Sequence, residues 1–444
     1  MQRVRAAPPL VVLSIAWLVL MVYAFPGQMT ADTFDHLKEA RTGVYTDSHP
    51  PAMNLVFWCA EQLVAGPFAI LVLQSVVFLA GLHALLRRTF APNRAAWIAS
   101  GLFVFPPILV TMAVVWKDSL MAAMLVLGLV GLLDARRSLR IAGLLALFAA
   151  TAVRYNAFAA TFPLVILVFE LRPGTPWLKR YAIALAAWLA ITGAAFTLNA
   201  ALTDQRMYYW HSSLAVHDIV GTLAHVDTIS DAELERLFEG TELQQHQDIH
   251  GHIRKRYTPR NFFPIVTAPA GLWHLPVYGA DPGPKPQRDA IERVWKEVLT
   301  TYPGAYVQHR LAVMVEVLSL TRGIPSWPVA KREFEYPQTV LDMGMSTRAS
   351  TLQHELTSWL TGLNRFTPLF KPWMYLAIAI LLLAATRRHR DVFALLSSGI
   401  VLESSLVLLA PTPDYRYSHW MVLATCLSIV VLVGRRARPA HTCV

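Results

Sequence analysis

Apolar residues run through this chain in long blocks separated by short polar breaks. The blocks fall at about 10–25, 67–86, 95–115, 119–133, 141–153, 157–169, 181–201, 371–386, 391–410 and 419–434. A helix needs about 20 apolar residues to cross a bilayer, and most of the blocks approach that length. The pattern predicts an all-α polytopic membrane protein with about ten transmembrane helices. Blocks 141–153 and 157–169 are short for full spans and read in one of two ways. They are a short hairpin dipping in from the cytoplasmic side with Arg154 at its tip, or a single long helix, which would put half of the later basic clusters on the wrong side. Residues 306–320 are partly apolar but contain Arg310 and Glu316, which reads as a helix lying along the membrane surface.

Three regions follow from this pattern. Residues 1–201 form an N-terminal transmembrane module whose first loop, 26–51, is polar. Residues 202–370 form one large extracytoplasmic (periplasmic) loop domain, and 371–444 hold the C-terminal transmembrane helices and a cytoplasmic tail. Within the loop domain Ser230 and Asp231 read as a helix start with Glu233 at the third position. The Pro/Gly-rich stretch 279–286 reads as an irregular loop.

Composition narrows the class. Only 15% of the 444 residues are charged, against roughly 25% in soluble domains, and the mean hydropathy is +0.41. The net charge of +10 would suit a nucleic-acid partner. The arginines instead cluster between apolar blocks: Arg87 and Arg88, Arg136 and Arg137, Arg387, Arg388 and Arg390, Arg435 and Arg436. Alternating the blocks puts all of these on one side, the positive-inside pattern. The basic side is therefore expected to be cytoplasmic, with both termini there. The first block, with Arg3 and Arg5 ahead of it, reads as an uncleaved signal-anchor. Cys59, Cys426 and Cys443 have neither disulfide nor zinc spacing.

The same alternation brings four polar motifs to the opposite, extracytoplasmic face. These are Asp32, Asp35, Asp47 and His49; Lys117 and Asp118; Arg154 and Asn156; and Asp414 and Arg416. Each has a plainer reading. Asp47 can cap a helix that Pro50 and Pro51 begin, while Trp116, Lys117, Tyr415, Arg416 and Tyr417 can be interfacial anchors. Together they describe a cleft with acids on one loop and three cations on others. A carboxylate can take a hydroxyl proton, and Lys and Arg can hold a departing phosphate. His246, His250 and His252 have a metal-like spacing, but Gly251 interrupts the helix they need, and a solvated helix end is the default reading. Glu403, inside an apolar block, requires a partner. Tyr208, Tyr209 and Trp210 suit either a sugar-stacking surface or an aromatic belt.

The order Pro26, Gly27, Asp32, His49, Pro50, then Trp116, Lys117, Asp118, Arg154, Tyr155, Asn156, Arg416 and Tyr417 resembles the GT-C superfamily of membrane glycosyltransferases, over most of 1–200 and 371–434. The resemblance implies a GT-C-like fold, a polyprenyl-phosphate-linked sugar donor, inversion at the anomeric carbon and a first-loop acid as base. Asp32 matches that base best and Asp35 second. Lys117, Arg154 and Arg416 are then donor-phosphate contacts. Asp47, His49, Asn156, Asp118 and Asp414 bind the acceptor or shape loops. The acceptor is expected to be a cell-envelope glycan or glycolipid, and membrane lipids are the other partners. No cofactor is implied beyond the lipid-linked sugar as co-substrate, no metal site is assigned, and the resemblance leaves room for a divalent metal. A transporter or flippase, and a polysaccharide polymerase or ligase, are the competing readings. Transporters place ionisable groups at mid-bilayer in repeated broken helices, whereas here they gather at one interface.

Overall fold

The computed structural model describes residues 7–241, 248–266, 283–321, 337–342, 345 and 349–436. The described residues hold no strand, only two isolated bridges, Gln28 with Val114 and Thr46 with Gln205. Helices occupy every apolar block. Four are long and apolar enough to cross a membrane: Phe68–Leu86, Trp177–Leu202, Arg390–Leu409 and the segment Tyr415–Arg436. Block 95–115 is not one straight span. It breaks into Pro92–Phe103 and Pro106–Met112, bent by 73°, because Pro106 and Pro107 cannot continue the preceding helix. Counted as one bent span, the pair makes a fifth. Pro9–Ala24, Ala157–Val168 and Pro372–Ala385 are apolar but shorter. Among the described residues four or five helices thus qualify as spans by length and composition, which supports a multi-pass membrane protein, and the count of ten stays an expectation.

Lys117–Leu132 and Arg137–Val153 pack with their backbones in near contact. A Cβ built on Gly131 would lie 2.6 Å from the Gly143 Cα, and one on Gly143 would lie 2.7 Å from the Leu132 nitrogen. Small residues at a crossing allow this close packing where lipid gives no hydrophobic drive between helices. Ala157–Val168 then returns along the bundle, so Arg154 does sit at the tip of a helical hairpin.

Residues 209–305 contain a second apolar core, formed by Val216, Ile219, Val220, Leu223, Phe238, Ile253, Phe262, Ile291, Val294 and Val298 among others. Ser230 caps Asp231–Leu237 as expected, its Oγ accepting from the Glu233 nitrogen at 3.3 Å. The loop expected at 279–286 is corrected where it is visible: Lys285 and Pro286 already begin the helix Lys285–Thr301, while 279–282 lie outside the described residues.

The expected surface helix is Pro303–Val317, and it is not peripheral. One face is sandwiched between this second core and Arg390–Leu409, where Val313, Met314 and Val317 meet Leu406 and Ala410. The other face leaves Val307 and Leu311 more than half exposed. Arg310 is 2% exposed; its Nη2 lies 2.5 Å from Asp218 Oδ1 and its Nη1 donates to the Ala410 carbonyl at 2.9 Å. Beside them His309 approaches Asp218 at 3.4 Å, accepts or donates at 3.1 Å with the Tyr257 hydroxyl, and packs edge-on against His217.

Burial, reinforced by His309, pushes the His217 imidazole down to about 3, against about 6.5 in an unfolded chain. Between those values the unfolded state binds the proton more readily, so stability contributed here is full above about pH 6.5 and falls as pH drops. Asp218 is held below the usual carboxylate range, against the opposing effect of burial, by His309 and Arg310. The unfolding midpoint of the purified protein is expected to fall several degrees from pH 7.5 to 5, and His217→Gln should flatten that slope. Equal slopes in the two proteins would rule out His217 as the source.

Candidate functional site

The first loop is held against the third apolar block by backbone pairing. Gln28 donates to the Ala113 carbonyl at 3.2 Å and accepts from the Val115 nitrogen at 2.9 Å. Gly27, at φ +128°, sits where a Cβ would lie 3.0 Å from both Pro67 Cβ and Val115 Cγ2, a place only glycine fills without strain. The Thr33 hydroxyl donates to the Val115 carbonyl at 3.0 Å, and Trp116 Nε1 donates to the Thr30 hydroxyl at 2.7 Å. Trp116 is therefore buried and serves the site instead of anchoring the chain in the interface.

From Thr30 the loop forms the helix Ala31–Thr42 and stops at Gly43 (φ +70°). Phe34, Leu37 and Ala40 face inward, while Asp32, Asp35, Lys38, Glu39 and Thr42 line an open cavity of about 840 Å³. The 3.6-residue period alone accounts for this division, since positions three and four apart share a face. The cavity also receives His49, Lys117, Arg154, Asn156 and Arg416, so the four sequence motifs do meet.

Their pairing is specific. Asp32 Oδ2 accepts from Lys117 Nζ at 3.1 Å and lies 2.9 Å from Arg416 Nη1. Burial raises the Asp32 carboxyl, but Arg416 and then Lys117 outweigh it and hold it well below the usual carboxylate range. Lys117 also donates to His49 Nδ1 at 2.9 Å. A lysine ammonium has no acceptor, so the His49 proton belongs on Nε2, which faces Asp35 Oδ2 at 3.8 Å. The Asp35 side chain is 43% exposed and reaches into the cavity with His49 as its neighbour.

Arg154 is tied to Asp118 at 2.6 Å, and Asp118 is fully buried. Removing either partner would leave an uncompensated charge, a loss of about 3–5 kcal/mol. Arg416 holds Asp414 at 2.9 Å. The guanidiniums share an aromatic surround: Arg416 lies 4.9 Å from the Trp116 ring and 5.4 Å from Tyr417, and Arg154 lies 5.1 Å from the same Tyr417. Asn156 lines the cavity with its Oδ1 buried and unbonded. Lys117, Arg154 and Arg416 thus each have a carboxylate partner, and of those carboxylates Asp32 lines the cavity, where an incoming phosphate can take its place.

Asp47, Asp118 and Asp414 do not line the cavity. Asp47 accepts from the Met207 nitrogen at 2.5 Å and ties the first loop to the start of the second core. It does not cap Pro51–Glu61, which begins at the prolines with no side-chain cap. Of the aromatic trio only Tyr209 reaches the cavity, while Trp210 packs on Trp295. Glu403 finds its partner in the Ser418 hydroxyl at 2.9 Å. His250 contacts the Val226 carbonyl at 3.3 Å, no metal-type grouping exists among the described residues, and His246 and Cys443 lie outside them.

The supporting layer was not singled out from sequence. His36 is buried behind His49, hydrogen-bonded to Asn54, and Asn54 donates to Glu39 at 2.5 Å. Burial, with His49 and Lys117 next, holds the His36 imidazole well below its ordinary value, so it is neutral. Its position four residues after Asp32 was the one available signal.

No family model matches the chain, and no curated protein matches it. Among solved structures it is similar to ArnT from Cupriavidus metallidurans in the apo state, at 14% identity and a TM-score of 0.35, over 96% of this chain and 77% of that one. It is similarly close to ArnT from the same organism bound to undecaprenyl phosphate, at 13% identity and a TM-score of 0.35, over 96% and 78%. Similarity this low carries no functional weight, and the site rests on its own geometry.

Proposed function

We propose that this protein is a membrane glycosyltransferase of the GT-C type, moving a sugar from a polyprenyl-phosphate donor to a hydroxyl on an envelope glycan or glycolipid at the extracytoplasmic face. The observation that carries this reading is the Asp32 carboxylate shared by Lys117 and Arg416 inside a cavity of about 840 Å³, with Arg154 and Asn156 on the same wall. Two cations on one carboxylate are preorganised for an oxyanion of similar shape. Phe158, Phe196, Leu406 and Leu409 give the cavity an apolar side suited to a lipid-linked ligand.

In the reaction the acceptor oxygen attacks the anomeric carbon as the bond from that carbon to the phosphate oxygen breaks. The acceptor proton passes to a first-loop carboxylate, the sugar inverts, and polyprenyl phosphate leaves into the hold of Lys117, Arg416 and Arg154. Asp35 is the better placed base. It is open to the cavity and flanked by a His49 N–H, whereas Asp32 is neutralised by two cations and so is a weak proton acceptor. Asp32 instead keeps the cations in register until the donor phosphate arrives.

Undecaprenyl phosphate is the direct test. It is expected to raise the unfolding midpoint of the purified protein in a saturable way, because a ligand that binds only the folded form stabilises it. The matching alcohol, undecaprenol, should do so far less. Equal shifts by the two lipids would reject a phosphate site.

A further inference from the structure

A second cleft lies at the other end of the bundle. Its volume is about 300 Å³ and its wall includes Leu133, Asp134, Arg140, Glu170, Arg390 and Asp391. Helix Lys117–Leu132 begins at the first cavity and ends at this cleft, and Arg390–Leu409 runs between them in reverse. At 1.5 Å per residue those helices span about 24 and 30 Å, close to the hydrocarbon thickness of a bilayer. The two cavities are therefore separated by about the thickness of a bilayer's hydrocarbon core.

The charges at the cleft do not balance. Asp134 is paired with Arg136 at 3.3 Å, and Glu170 with both Arg180 at 3.2 Å and Arg390 at 2.6 Å. Asp391 is paired with Arg435 at 3.0 Å. Arg140 differs from these. It is 6% exposed, and its guanidinium donates only to backbone carbonyls, those of Asp134 at 3.1 Å, Ala135 at 2.8 Å and Leu171 at 3.4 Å. Its Nε is buried without a partner. Arg88 likewise donates to the Leu133 carbonyl at 2.6 Å. Arg140 and Arg390 line the cleft beside Asp134, Glu170 and Asp391. Arg136, Arg180 and Arg435 pair with those carboxylates from outside the lining and Arg88 bonds a carbonyl of it, so six guanidiniums surround three carboxylates. A buried cation with an unused donor is unfavourable unless an anion completes it.

The membrane supplies such an anion at this depth. Helix Trp177–Leu202, whose Arg180 reaches Glu170 of the cleft, starts with Trp177 at 72% and Leu178 at 67% exposure. An exposed aromatic and aliphatic pair beside arginines is the arrangement that sits at a lipid headgroup layer. Clefts of this kind between spans, basic and at the headgroup level, hold anionic lipid headgroups. We propose that the cleft around Arg140 and Arg390 binds the phosphodiester headgroup of an anionic membrane lipid, with Arg140 as the buried contact and Arg390 as the outer one. This site is separate from the proposed transfer reaction and stands or falls without it.

The test uses the full-length protein in detergent, titrated with phosphatidylglycerol, phosphatidylcholine or inorganic phosphate and followed by its unfolding midpoint and by native mass spectrometry. Phosphatidylglycerol is expected to bind and raise the midpoint by several degrees, phosphatidylcholine to give less than half that shift, and inorganic phosphate little. Arg390→Gln, an exposed position, should weaken phosphatidylglycerol binding about tenfold while the lipid-free midpoint is kept. Arg140→Lys keeps a charge at the buried position and should weaken binding at least as much. Equal shifts by the two lipids, or unchanged binding in Arg390→Gln and Arg140→Lys, would overturn the site. Full stabilisation by inorganic phosphate alone would overturn the lipid assignment.

Discussion

Arg416→Ala is expected to lower kcat/KM for sugar transfer by about a thousandfold, the scale lost when one charge-stabilising donor is removed from a preorganised site. Arg416 touches Asp32 and Asp414 and lies against two aromatic rings, so one side chain orders both walls of the cavity. Arg416→Lys should restore the melting midpoint, because it returns the charge. It should restore under a tenth of the activity, because an ammonium cannot reproduce the planar fork or its stacking on Trp116 and Tyr417. Transfer measured with a polyprenyl-phosphate sugar, alongside the unfolding midpoint, separates these effects. An active Arg416→Ala protein would remove the phosphate-binding role.

Asp35→Asn and Asp32→Asn are expected to fail in different ways. Asp35→Asn should cut kcat by about 10²- to 10⁴-fold, the range for losing a general base, and leave folding and lipid-phosphate binding intact because Asp35 is half open to the cavity. Asp32→Asn removes the counter-charge of Lys117 and Arg416. It should lower the melting midpoint by several degrees, and undecaprenyl phosphate should recover part of that loss by supplying the missing anion. The loss follows from linkage: a carboxylate held below its unfolded pKa contributes stability above that pKa, and that stability fades as the group is protonated. If instead Asp32→Asn abolishes transfer with its midpoint unchanged, and Asp35→Asn remains active, the base is Asp32.

Both experiments turn on distinctions that the linear pattern did not make. Asp32 and Asp35 are equivalent in spacing, one helical turn apart. They differ because Lys117 and Arg416 arrive from distant segments to neutralise one and not the other. Asp47 carried the same promise as its neighbours until the Met207 nitrogen claimed it. Trp116, Tyr415 and Tyr417 matched a membrane belt, yet Trp116 and Tyr417 surround the guanidiniums and the Tyr415 hydroxyl donates to the Pro107 carbonyl at 3.2 Å. Pro303–Val317 is helical as expected, but its Arg310 is buried against Asp218 and the Ala410 carbonyl.

The sequence by itself determined the helical membrane class, the positions of the apolar segments and the short list of polar groups that did not belong in them. Those are local properties: hydropathy acts over about 20 residues, and an ionisable group beside an apolar block is costly wherever the chain goes next. Only the tertiary structure decided which charges pair. It broke block 95–115 at two prolines, placed Lys117 and Arg416 on Asp32, sent Arg154 to Asp118, and left Asp35 open beside His49. An ion pair in a dry site is selected by distances of about 3 Å between segments far apart in the chain, and packing sets those distances where composition cannot.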